Sequence, residues 1–217
     1  MNNRTIVITG TSTLNVKTDY VKIKFDIDKK DLSYEKTLLL LTEQIDAITK
    51  IVLKNGFTKN DLKTTDFNVE KDTKYDNKSK EYHFVGYMAR ETLNLSFPID
   101  NKKINSILHD VCAEIKDVDF NISFYCYNPN KYENELIKLA VEDAKQKALL
   151  ITDTIGVKLK QIERIDYSFS EVHIDNSLEY DLTPEICCQE TTIGVIPDME
   201  PEDTKLNKSI TIVWEIE

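Results

Sequence analysis

Residues 130–156 read NKYENELIKLAVEDAKQKALLITDTIG. Apolar and small residues recur at Ile137, Val141, Ala144, Ala148, Ile151 and Ile155, a 4-3-4-3-4 spacing that repeats one helical face. Asn130 with Glu133 three positions on has the form of a capping box, and Gly156 suits the left-handed residue that ends a helix. Ala140, Ala144 and Ala148 make a ridge without bulk, so whatever packs there comes close. The spacing predicts a long amphipathic helix lying on a sheet, and the rest of the chain must supply that sheet.

Upstream, residues 5–16 predict a strand around Gly10, and Val21, Ile23, Phe25 and Ile27 alternate with charged residues in the clearest strand of the sequence. A helix follows from an N-cap at Ser33 to Asn55, with Leu38, Leu41, Ile45, Ile48 and Val52 as its main stripe. A second stripe of Leu40, Ala47 and Ile51 lies nearly opposite and is expected to meet another subunit or layer. Residues 62–76 and 81–97 form a hairpin, with Val85, Tyr87 and Ala89 sharing a parity in its second arm. A helix over 101–116 and a strand over 118–126 complete the order strand, helix, strand, strand, helix, strand. That is the ferredoxin-like β-α-β-β-α-β order. The fold class expected is therefore α+β with a mostly antiparallel sheet, an extra N-terminal strand, and a C-terminal long helix plus two strands (160–173 and 210–216). The chain is expected to be one domain, 1–217, with a ββαββαβ part over 1–128 and the remainder over 129–217. Residues 174–207, with Pro184, Pro197, Pro201 and nine acidic residues, predict a surface arm before the final strand.

A net charge of −10 argues against a general nucleic-acid or anionic-membrane binder. No apolar run approaches a membrane span. Met1 leads directly into Ile6, Val7 and Ile8, too short for a signal-peptide core, so the expected location is cytoplasmic, and periplasmic or secreted only if a leader was removed.

Chemistry is sparse. There is no G-x-S-x-G, P-loop or G-x-G-x-x-G, and the chain has only five glycines to build with. His83, His109 and His173 are scattered and no C-x-x-C exists, so no metal or cofactor is expected. Cys112 and Cys126 read as small core residues. The adjacent Cys187 and Cys188 are the possible redox pair, because a bridge between neighbours is strained and easily reduced. Tyr125, Tyr127 and Tyr132 could stack bases, but their neighbours lack Lys and Arg density.

The run Ala140-x3-Ala144-Lys145-x2-Ala148 with Ile155-Gly156 closely resembles the signature helix of the SIMPL domain family. Ile6 to Gly10, Val16-x2-Asp19-x-Val21, Gly56-x4-Asp61-Leu62-x2-Thr65, Tyr75 and Gly86-Tyr87-x-Ala89 are similar to its other segments in order and spacing. Ile196-Pro197-Asp198-x-Glu200 is similar to its approach to the last strand, with Asp198 where a glycine is common. The resemblance covers nearly the whole chain. It implies a bacterial family with exported, ring- or channel-forming and oxidative-stress-linked members, and no established catalytic residues. The expected function is a non-enzymatic, self-associating scaffold or binding protein with a homo-oligomeric or other protein partner. The alternatives are a thiol-dependent stress protein using Cys187 and Cys188, or a ligand- or RNA-binding module.

Overall fold

The computed structural model describes residues 4–115, 118–167, 173–175, 179–182 and 199–217. They fall into two compact units, each with its own core. The first comprises Met1–Thr18, Cys126–Ser177 and Glu202–Glu217, and the second Asp19–Tyr125 and Leu178–Pro201. The fold class is α+β with antiparallel sheets, as the sequence predicts.

In the second unit, β2 (Tyr20–Asp31), α1 (Tyr34–Lys54), β3 (Leu62–Asp76), β4 (Glu81–Pro98), α2 (Asn101–Glu114) and β5 (Asp119–Tyr125) follow in the β-α-β-β-α-β order. The sheet runs β3-β4-β2-β5, the strand order of a ferredoxin-like fold, and the short β8 (Glu179–Leu182) adds beside β5. Alternation decides which side of β2 is covered: Val21, Ile23, Phe25 and Ile27 are at most 1% exposed while the residues between them stay wetter. Each such burial contributes about 1.5–3 kcal/mol over exposure. Ser33 caps α1 by accepting from the Lys36 amide, and Asp100 caps α2 by accepting from those of Lys102 and Lys103.

The first unit is a smaller sheet under one helix. β1 (Thr5–Val16), preceding the ferredoxin-like strands in the chain, does not join their sheet. It pairs with β9 (Thr204–Ile216) from Thr5↔Glu215 to Val16↔Thr204, and β6 (Leu159–Asp166) and β7 (His173–Asp175) pair with β9 as well. The final strand thus begins at Thr204, inside the stretch expected to be an arm, because Leu206 and Ile210 continue its buried alternation.

The long helix α3 (Glu133–Ile155) ends at Gly156 in the left-handed conformation, φ 75°, as expected. Its face differs from expectation. The buried row is Leu136, Ala140, Ala144, Ala148 and Thr152, whereas Val141, Ile151 and Ile155 are exposed. The cause is close approach at Gly10 of β1. A Cβ there would lie 2.0 Å from the Ala140 carbonyl oxygen and 2.7 Å from the Ala144 Cβ. Only the alanine ridge fits against that backbone, so the larger side chains turn to the flanks. The expected capping box does not form either: a 3-10 turn, Pro129–Tyr132, precedes the helix, and Tyr132 at the N-cap makes no side-chain cap.

Candidate interaction surface

β3 and β4 pair as far as Asp76↔Glu81, but β2 accompanies β4 only to Asp31↔Tyr87. Beyond Tyr87 the two strands run on as a ribbon without a third among the described residues. Its turn is fixed by Asp76, whose carboxylate accepts from the Lys78 amide at 2.9 Å and the Ser79 hydroxyl at 3.1 Å. Those bonds, the Lys78 amide foremost, hold the Asp76 carboxyl below its ordinary value.

One face of this ribbon is aromatic. Tyr75 and Tyr82 stand opposite each other with ring centroids 5.1 Å apart. Phe84 meets Tyr87 edge to face at 5.2 Å, and Tyr87 meets Tyr34, at the start of α1, at 5.5 Å. Phe84 and Tyr87 share a face because the register shifts between them, leaving Val85 unmatched. Of Val85, Tyr87 and Ala89, expected to share one parity, Tyr87 and Ala89 keep it and Val85 falls out of register at this bulge. Gly86 makes it possible: φ is 149°, and a Cβ would lie 2.8 Å from the Asp31 carbonyl oxygen. Further along β4 the same face carries Ala89 and Leu93, both buried in the core. The aromatic row is the core face of β4 prolonged beyond its helices.

The carboxylates on and around this face are paired. Lys30 pairs with Asp72, Lys36 with Asp31 at 2.8 Å, and Arg90 with Glu70 at 3.4 Å. The bond from Lys36 is the main reason the Asp31 carboxyl lies below its ordinary value. Lys71, opposite Tyr87, is the one charged residue among Lys71, Thr73, Tyr75, Tyr82, Phe84 and Tyr87.

In the first unit the polar residues of α3 close an edge. The Thr11 amide donates to Asp143 at 2.7 Å, and Lys147 bonds Asp143 at 2.6 Å and reaches the Thr9 carbonyl at 3.5 Å. These bonds occupy backbone groups of edge strand β1 that would otherwise be open to another strand. Lys208, its side chain 2% exposed, donates to Glu133 at 2.6 Å, and the Tyr167 hydroxyl donates to the same carboxylate oxygen at 2.9 Å.

Of the residues the sequence proposed for an interface, Ile51 is fully buried in the core of its own unit and Ala47 packs partly against that core. Leu40 is half-buried. At Ile51 the second stripe of α1 is thus covered by this chain and offers a partner nothing. Cys187 and Cys188 lie outside the described residues, as does the Ile196–Asp198 motif. Cys126 is buried and Cys112 half-buried. His83 bonds the Ser79 hydroxyl on the ribbon, and His109 is largely exposed beside Asp110. Among the described residues no group of three or more His, Cys, Asp or Glu could hold a metal, and no helix is long and apolar enough to cross a membrane. The aromatic face itself escaped sequence reasoning. Its signal was Tyr82-x-Phe84 followed by Gly86, an alternation with a glycine marking a bulge.

Compared with known proteins, residues 6–214 match a family model described as SIMPL, a protein of unknown function (DUF541). Among curated proteins none matches the chain.

Proposed function

Because the chain belongs to the SIMPL family of proteins of unknown function, we propose from its surface that it is a non-enzymatic, self-associating scaffold or binding protein. The observation that supports this reading is the aromatic face of the β3–β4 ribbon, where Tyr75, Tyr82 and Phe84 stand exposed to water beside Tyr87 and Tyr34. Contiguous exposed apolar surface on a folded chain marks a contact site more often than it marks chance. Aromatic residues dominate such contacts because they bring large rigid area at small entropic cost.

Light scattering on a sizing column at two protein concentrations tests it. The expected result is a mass above the 25.1 kDa of one chain that grows with concentration. A single species of one chain's mass at both concentrations would remove self-association.

A further inference from the structure

We propose that the surface meeting the aromatic face is the same face of a second copy, in a two-fold contact between two β3–β4 ribbons. This rests on the reading of the chain as self-associating and specifies where the copies touch.

The area is sufficient. Tyr34, Tyr75, Tyr82 and Phe84 are 48%, 45%, 72% and 48% exposed. Aromatic side chains offer about 150–250 Å² each, so these four leave on the order of 400 Å² in water. A two-fold contact removes that area from both copies, and with the flanking Lys71 and Thr73 it covers roughly 1,000 Å², the lower bound for a specific interface. A contact that used the face on one copy only would leave the other copy's rings in water.

Charge points the same way. Each copy carries −10, so two copies repel wherever carboxylates oppose one another. The carboxylates beside the rings are neutralised within the chain: Asp31, opposite Tyr87, is paired with Lys36, and Asp72 at the border with Lys30. Lys71, opposite Tyr87, has no ion-pair partner among the described residues, and a two-fold contact brings it near the other copy's tyrosine rings, whose faces attract a cation. The ribbon also extends past β2, so among the described residues no third strand stands beside these rings.

The test is tyrosine coupling. Illumination with a ruthenium sensitiser and persulfate joins tyrosine rings that touch, and the expected product is a covalent dimer linked through Tyr82 or Tyr75. Tyr82→Ser with Phe84→Ser should abolish that product and weaken self-association at least about 100-fold, as loss of two hot-spot rings does. Tyr127→Ser, an exposed tyrosine of the first unit, should leave both unchanged. Should the double variant melt lower than the parent, Thr73→Glu decides instead, since it places a carboxylate on the face and keeps every ring. Assembly that survives these changes, or a dityrosine linkage elsewhere, overturns the ribbon contact while self-association stands. A parent protein with the mass of one chain throughout overturns both.

Discussion

Lys208 is a charged side chain with almost no exposed surface, and it persists because Glu133 and Tyr167 converge on it. Burial alone would lower its ammonium, but the bonds to Glu133 and Tyr167 outweigh that and raise it above its ordinary 10.5. Glu133 is held below its ordinary 4.5, first by the Lys208 hydrogen bond and then by Tyr167. A depressed carboxyl contributes stability that is present above its ordinary value and lost as pH falls through the folded one. A raised ammonium contributes stability present below its ordinary value and lost as pH rises through the folded one. Thermal melts across acid pH should therefore show part of the stability disappearing as pH falls below 4.5, the ordinary glutamate value, and through the lower one of folded Glu133, and Glu133→Gln should flatten that limb. At neutral pH Glu133→Gln should lower the melting temperature more than Lys208→Met. The first leaves a buried cation without its counter-charge, whereas the second leaves a carboxylate that is one-third exposed and can turn to water. Equal melts for the two variants would show that the pair does not couple as described.

Helix α3 and strand β1 approach closely at Gly10, and the geometry gives a structural reason for the residues that carry the family resemblance. Gly10 leaves room for the Ala140 carbonyl, Ala144 and Ala148 keep the helix close, and Asp143 with Lys147 occupies the free edge of β1. Gly10→Ala places a methyl group where backbone already stands, so the helix must lift. The expected loss is about 3 kcal/mol, the upper range for overpacking a filled core, measured as a lower denaturant midpoint at unchanged slope. A loss below about 0.5 kcal/mol, the size of an ordinary surface change, would mean that the contact is looser than this geometry. In the other unit Gly86 plays the comparable part, letting Asp31 approach the bulge that turns Phe84 and Tyr87 to one side.

For the molecule as a whole, the proposed contact through rings and one lysine gives a chain of net charge −10 a defined salt response. Raising ionic strength from about 0.01 M to about 0.15 M shortens the screening length from ~30 Å to ~8 Å. Repulsion between copies then fades while the aromatic contact does not, so the dissociation constant should fall severalfold, read by sedimentation at both salts. Weaker association at the higher salt would point to ionic contacts instead. Most of the architecture was legible in the sequence because alternation in β2 and the spacing in α1 and α2 are local consequences of burying one side of an element. Caps at Ser33 and Asp100, and the ending at Gly156, depend likewise on a few neighbouring residues. By itself, then, the sequence determined the α+β class, the β-α-β-β-α-β order and the positions of the helices. Only the tertiary structure decided that β1 pairs with β9, that α3 turns its alanine row inward, that Ile51 is closed within its own core, and that Tyr82, Phe84 and Tyr87 share a face. Each of those depends on pairing between residues far apart in the chain, on one bulge, or on how closely two backbones can approach, and no local period fixes any of these.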